Sequence, residues 1–255
     1  MRKISLSHIA LGLALIAPAS AVQAQDHKYL LNGSFADQFS GPSLVGNAAG
    51  LSSSGYAFNP RNGGLSLSNV LTSPVYTILF RTRLATTTGP TPSMPGYQKL
   101  VDFQNETSDF GYYNNTTTAE FYNGGSQSNV LGGYGVTPHA SRVTILTRSV
   151  SGLFSVYVQG VLQHSFMDTA GDAIFSGPGN TATFFTDDVI SGGAEDPTGL
   201  VNYIAVWEDY ALTSQQAANW ESSSITATPE PATITLLATG LLGVFAAARR
   251  RRKVA

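Results

Sequence analysis

Between Tyr29 and Trp207, apolar and polar residues alternate with a period of two, and clusters of Gly, Pro, Asn and Ser break the alternation at short intervals. Val75 to Leu84 is the clearest stretch. Tyr76, Ile78, Phe80, Thr82 and Leu84 face one way, and Thr77, Arg81 and Arg83 face the other, as on a strand lying across a core. Arg142 to Arg148, Leu153 to Gln159 and Val161 to Phe166 follow, joined at Ser151-Gly152 and Gln159-Gly160. Tight Gly-containing turns between alternating runs predict consecutive hairpins. Thr181 to Thr186 and Val201 to Glu208 add two strands. The prediction is all-β: antiparallel sheets packed face to face, a sandwich or jelly roll.

One internal segment has a helical pattern. In Ala211 to Trp220, Thr213 is placed as an N-cap, with Leu212, Gln216 and Trp220 on one docking face. Ser222 to Thr228 is a polar linker.

The two ends break the alternation. Arg2 and Lys3 precede an apolar run, Ile9 to Ala17, then Pro18 and the small-residue triplet Val22-Gln23-Ala24. That order predicts a secretory signal helix cleaved between Ala24 and Gln25. As a membrane anchor the run would reach only about 14 Å, half a bilayer core. At the other end Pro229-Glu230-Pro231 precedes an uncharged run, Ala232 to Ala248, and then Arg249, Arg250, Arg251, Arg252 and Lys253. The run would span about 25 Å as a transmembrane helix, with its cations cytoplasmic and residues 25–228 on the far side.

Pro-Glu-Pro, a short hydrophobic helix and a terminal Arg cluster, in that order, resemble the PEP-CTERM sorting signal of Gram-negative bacteria. The resemblance implies export through the Sec translocon, transient anchoring by the C-terminal helix, and processing near Pro229 to Pro231 by an exosortase. Delivery to the cell surface or an exopolysaccharide matrix would follow. An ordinary C-terminal anchor is the alternative. The expected layout is a signal peptide at 1–24, a sandwich at 25–220, a linker at 221–228 and the sorting signal at 229–255.

Charge changes the picture once the ends are set aside. The whole chain has a formal charge of −2, but residues 25–228 carry 7 basic and 15 acidic residues, near −8. That balance disfavours nucleic acid and anionic membranes, and leaves divalent cations and neutral glycans open. With no Cys in 255 residues, thiolate metal sites, cysteine nucleophiles and disulfides are excluded.

A second resemblance spans Tyr29 to about Trp220. Tyr76 to Leu84, Leu100 to Phe103, Asp109 to Tyr112, Arg142 to Arg148, the Tyr157-Val158-Gln159-Gly160 hairpin, Phe184 to Asp188 and Ala211-Leu212-Thr213 follow one another in a series similar to laminin-G-like, concanavalin A-like jelly rolls. That fold hosts lectins, hydrolases and adhesion modules, so it does not decide function.

Two constellations carry candidate chemistry. Asp187, Asp188 and Glu195 lie in a loop rich in Gly and Ser, the donor type that calcium takes; solvated turn carboxylates are the alternative. Asp187 and Asp188 can serve one ion only if the strand has ended before them. Tyr112, Tyr113, Tyr122 and Tyr134 lie among Asn114, Asn115, Asn123 and Asn129, suiting sugar faces and hydroxyls; core or edge tyrosines are the alternative. A glycoside hydrolase needs two carboxyl groups facing across a cleft, whereas the acid pairs here are adjacent in sequence. His27, His139 and His164 form no metal or triad motif. The expectation is a non-enzymatic, exported surface or matrix protein that binds extracellular polysaccharide or serves adhesion, with a purely structural module or a glycan hydrolase as alternatives.

Overall fold

The alternating segments become strands of two sheets in a computed structural model that describes residues 23–85, 97–115, 118–123 and 139–222. In chain order they are β1 (His27–Tyr29), β2 (Val45–Gly46), β3 (Leu51–Ser52), β4 (Gly55–Phe58), β5 (Leu65–Leu67), β6 (Tyr76–Leu84) and β7 (Tyr97–Asp102). The remainder are β8 (Gly111–Asn115), β9 (Thr118–Tyr122), β10 (Arg142–Arg148), β11 (Leu153–Val158), β12 (Val161–Met167), β13 (Ala182–Phe184), β14 (Gly199–Glu208) and the helix α1 (Ser214–Ser222). The first sheet runs β12-β11-β10-β6-β14-β4-β3, with β1 also paired to β14; the second runs β2-β5-β13-β7-β8-β9. Every ladder between these strands is antiparallel.

β6 lies at the centre of the first sheet, with Ile78 opposite both Leu146 and Val206. Its Tyr76, Ile78 and Phe80 meet Leu65, Val101, Phe121 and Phe184 of the second sheet in one core, so the two sheets pack face to face. On the other side of β6, Leu79 joins Val143, Ile145, Tyr157, Tyr203, Ala205 and Trp207 under α1. Trp220 meets Trp207 edge to face at 5.2 Å. The helix begins with a capping box. Gln216 N–H donates to Thr213 Oγ1 at 3.3 Å, and Thr213 N–H donates to Gln216 Oε1 at 2.9 Å, an arrangement that contributes about 1 kcal/mol. Leu212 docks as the sequence predicts, while the fully buried helical residue is Ala217.

The Gln159-Gly160 turn has positive φ at both residues, 51° and 73°, as a two-residue hairpin of this twist requires. Gln159 tolerates that strain because its Oε1 accepts the Val143 N–H at 2.7 Å. The strand predicted at Thr181 to Thr186 is shorter, since Phe185 turns the chain with φ 59° and stacks on Phe58 at 4.4 Å. The predicted signal helix, the C-terminal helix and residues Pro229, Glu230, Pro231 and Arg249 to Arg252 lie outside the described residues. Among the described residues no helix is long and apolar enough to cross a membrane. Ala24 is exposed and Gln25 half-buried in irregular chain before β1.

The N-terminal strand is fastened by a histidine. His27 Nδ1 lies 2.8 Å from Asp37 Oδ2, and Nε2 lies 2.8 Å from Glu208 Oε1. Carboxylates only accept, so both ring nitrogens donate only in the imidazolium. Burial alone would lower the His27 pKa, but the bonds to Glu208 and Asp37 outweigh it and raise the value above 6.5. A raised folded pKa gives stability that is complete below the unfolded pKa and lost as pH rises through the folded one. We therefore expect the melting temperature to fall as pH rises above about 6.5, and His27→Gln to remove that component. An unchanged pH slope in His27→Gln would refute the assignment.

Candidate functional site

The sequence places Lys99 and Asp102 three residues apart on β7, which in a regular strand would set them on opposite faces. The register against β8 slips between Lys99 and Val101, and Leu100 and Val101 both enter the core. This bulge returns Asp102 to the face of Lys99. The same register aligns Tyr113 and Glu120 beside Lys99, and Gly111 and Tyr122 beside Asp102, on the outer face of the second sheet. Gly111 leaves room for the lysine, since a Cβ there would lie 2.7 Å from its Cε.

The Lys99 side chain is fully buried. Its Nζ is 3.0 Å from Asp102 Oδ2, 2.8 Å from Asp188 Oδ2 and 3.9 Å from Asp187 Oδ1, and it sits 5.4 Å from the Tyr113 ring centroid. The loop after β13 brings these aspartates in. Because the strand ends at Phe184 and Phe185 turns the backbone, Asp187 and Asp188 both point into the cluster. Asp188 Oδ1 accepts from the Ile190 and Ser191 N–H groups at 2.8 and 2.9 Å. Asp187 Oδ2 accepts from the Glu195 N–H at 3.0 Å and from the Ser191 hydroxyl. From the β7–β8 loop, Asp109 Oδ1 accepts the Tyr113 hydroxyl at 2.6 Å.

One ammonium faces Asp102, Asp109, Asp187, Asp188 and Glu195. Burial opposes ionisation of Asp188, but Lys99 and the two backbone donors hold its pKa down at about 2. Burial together with the charges of Asp109 and Asp187 pushes Glu195 up to about 7, and burial raises Asp109 and Asp187 as well. Lys99 is desolvated, yet Asp102 and Asp188 raise its pKa. The cluster therefore favours the charged forms of Lys99 and Asp188 and opposes ionisation of Asp109, Asp187 and Glu195.

Of the residues assigned to calcium, Asp187 and Asp188 come together with Asp109, placing three oxygens within 4.8 Å of one another, while Glu195 is not part of that group. They do not fit a calcium cage. The ion needs six to eight oxygens, whereas Asp188 Oδ2 is engaged by a buried ammonium, Asp109 Oδ1 by a hydroxyl and Asp187 Oδ2 by a backbone amide. Lys99 is the resident cation. Sequence reasoning missed it because its signal is the bulge, which leaves no mark in residue spacing.

The tyrosines separate. Tyr112 points between the sheets and is 2% exposed, which removes it from any surface patch, since neighbours on a strand face opposite ways. Tyr113 is buried on the outer face. Its ring meets Tyr97 at 6.3 Å and Tyr122 at 6.4 Å, both edge to face. Tyr97, absent from the sequence assignment, and Tyr122 are half-buried; Tyr134 lies outside the described residues. Beside this row Glu120 is 2% exposed and its Oε2 has no hydrogen-bond partner, and burial raises its pKa. His164, on β12, is also buried, with its pKa lowered by burial to about 4.

The PEP-CTERM protein-sorting motif matches residues 227–252. It marks an exported surface protein processed by exosortase at a C-terminal membrane anchor. No curated protein matches the sequence. Solved structures share the fold. Domain 4 of the extracellular arabinanase AbnA from Geobacillus stearothermophilus, solved with arabinotriose, is 13% identical with a TM-score of 0.55, covering 76% of this chain and 97% of that domain. The binding domain of botulinum neurotoxin serotype D is 9% identical with a TM-score of 0.57, covering 78% of this chain and 51% of the other. Trypanosoma rangeli sialidase is 14% identical with a TM-score of 0.57, covering 80% of this chain and 34% of the other. The alignment thus spans about half of the neurotoxin domain and a third of the sialidase. These similarities are to a β-sandwich of the kind found in binding domains and in enzymes of glycans.

Removing the ammonium strands buried carboxylates, so Lys99→Met is expected to destabilise the fold by about 3–5 kcal/mol, measured by denaturant unfolding. The wild-type melting temperature should be equal in calcium and in chelator. A calcium-dependent rise would restore the metal assignment, because a ligand at a hundredfold excess over Kd adds about 2.7 kcal/mol.

Proposed function

We propose that the chain is a non-enzymatic carbohydrate-binding protein of the bacterial surface or matrix, carried there through the Sec translocon and exosortase. In this reading the sandwich is a laminin-G-like, concanavalin A-like module, as the Tyr157 to Gly160 hairpin and the closing order of β14, Leu212-Thr213 and α1 support. Its ligand is an extracellular polysaccharide of the host.

The observation that carries the proposal is the row of Tyr97, Tyr113 and Tyr122 on the outer face of the second sheet, whose outer two rings are only half-buried. The C–H face of a sugar ring packs against a flat tyrosine ring, and the phenol hydroxyls can meet sugar hydroxyls. The arabinotriose in the AbnA domain supports the ligand class. Against hydrolysis stands the use of the neighbouring carboxylates: Asp102 and Asp188 are engaged by Lys99. A structural module without ligand is the second reading, favoured by how fully that cluster is satisfied from within.

Titration of the full-length protein with exopolysaccharide from its host should give saturable binding. Tyr122→Ala and Tyr97→Ala should each weaken it about tenfold or more with the melting temperature retained. No binding to any host polysaccharide would leave the structural reading. Intact-mass analysis of protein from the host should show a chain ending near Pro229 to Pro231; an intact Ala232 to Ala255 tail would remove the matrix from the proposal.

A further inference from the structure

Charge is unevenly distributed along the first sheet. At one end of the first sheet lie Asp26, Asp37, Asp168, Asp172, Glu208 and Asp209, with Arg148 paired to Asp168 at 2.7 Å. At the other end β6 finishes with Arg81 and Arg83, β10 begins with Arg142, and Arg61 follows β4. In a body near −8, four of the seven basic residues thus gather at one end. Among the described ion pairs, none uses Arg81 or Arg83.

An open groove of about 270 Å³ lies at that end. Its floor follows from the register: Leu200 of β14 sits between Ala57 of β4 and Arg83 of β6. Arg83 and His139 are exposed on its wall, with Asn59 and Thr198 at its rim. The volume lies just under the roughly 300–1,000 Å³ of small-molecule sites, so it suits one sugar residue of a chain. The walls are pinned, with Ala85 N–H bonded to Thr198 O at 2.8 Å and His139 N–H to Leu84 O at 2.9 Å. His139 is held at φ 65°, a conformation that costs energy and that persists where the surroundings fix it. Asn59 Oδ1 is occupied by the Arg61 and Asn62 N–H groups, so its amide donors are what it can offer a ligand. The loop acid Asp196 is engaged elsewhere, its Oδ1 accepting from Asp187 N–H at 2.7 Å.

We propose that this groove is a second binding site, separate from the tyrosine row, for a carboxylate-bearing saccharide. The Arg83 guanidinium presents a fork that matches a carboxylate, His139 and Asn59 offer donors, Thr198 can meet a hydroxyl, and the Ala57–Leu200 floor suits the C–H face of a sugar ring. A densely charged polyanion such as nucleic acid is disfavoured by the −8 of the remaining body. The site lies on the first sheet, whereas Tyr97, Tyr113 and Tyr122 belong to the second, so its occupancy does not depend on the reading given above.

The test uses the full-length protein and four defined probes: tetramers of galacturonate and of mannuronate, and the methyl ester of each, which keeps the shape and loses the charge. At least one acid should bind by calorimetry and its ester should not, and binding should weaken as salt rises from about 50 to about 300 mM. Arg83→Gln should lower affinity about tenfold or more, Arg83→Lys should restore only part of it, and Tyr122→Ala should leave it unchanged. Arg83 is exposed, and an unchanged melting temperature in Arg83→Gln confirms that the fold is kept. Equal binding of acid and ester, no binding of either acid, or full affinity in Arg83→Gln overturns the proposal. If host polysaccharide still binds and is lost in Tyr122→Ala, the tyrosine site stands and only this one falls; if neither probe nor polysaccharide binds, both fall.

Discussion

The ammonium of Lys99 holds the outer layer of the second sheet. Three segments converge on it: β7, the loop carrying Asp109, and the loop carrying Asp187, Asp188 and Glu195. Each brings carboxyl groups that could not be buried alone, because an unpaired buried charge costs several kcal/mol. The pair is not a gain over apolar packing in itself. Its effect is positional: with Lys99 fixed by the bulge in β7, the two loops have one low-energy place to sit. Tyr113, over Lys99 and bonded to Asp109, is fixed by the same contacts, and Tyr97 and Tyr122 lean on Tyr113. The row proposed to meet a sugar is therefore set by an ion pair beneath it rather than by its own packing.

Much of the fold could be read from the alternation. β6, the β10–β11–β12 hairpins, β14 and the capped helix fall where period two, turn glycines and Thr213 place them, since each is decided by local chemistry. The short strands β1 to β5 were less legible, because two to four residues carry no period. The candidate site divides in the same way. Asp187, Asp188 and Glu195 were legible as a loop cluster, but Lys99 was not, because the slip at Leu100 reverses the face that spacing predicts. Tyr112 was misplaced for the converse reason: adjacency in sequence suggested one patch, and the pleat sends Tyr112 and Tyr113 to opposite sides.

Charge adds a level that neither alternation nor motif contains. The composition places the body near −8 and gives no hint of polarity. Topology supplies it, because antiparallel strands return residues distant in sequence to one end: Arg61, Arg83 and Arg142 come from three strands or their flanks. A net negative domain can thus present a local cationic groove, where its own bulk repels polyanions and the groove attracts a single carboxylate.

An exported domain commonly ties its loops with disulfides, and this chain has no cysteine. Buried ion pairs stand where such ties would be. His27 joins the segment before β2 to the end of β14 through Asp37 and Glu208. Arg148 fastens the loop after β12, since Asp168 receives its Nε while also accepting the Asp172 and Ala173 N–H groups. Lys99 fastens the loops of the second sheet. A disulfide acts through the unfolded chain and is indifferent to pH. These ties act through charge, so each lasts only while its partners keep their protonation states, and the imidazolium of His27 is the first to give way as the surroundings turn alkaline.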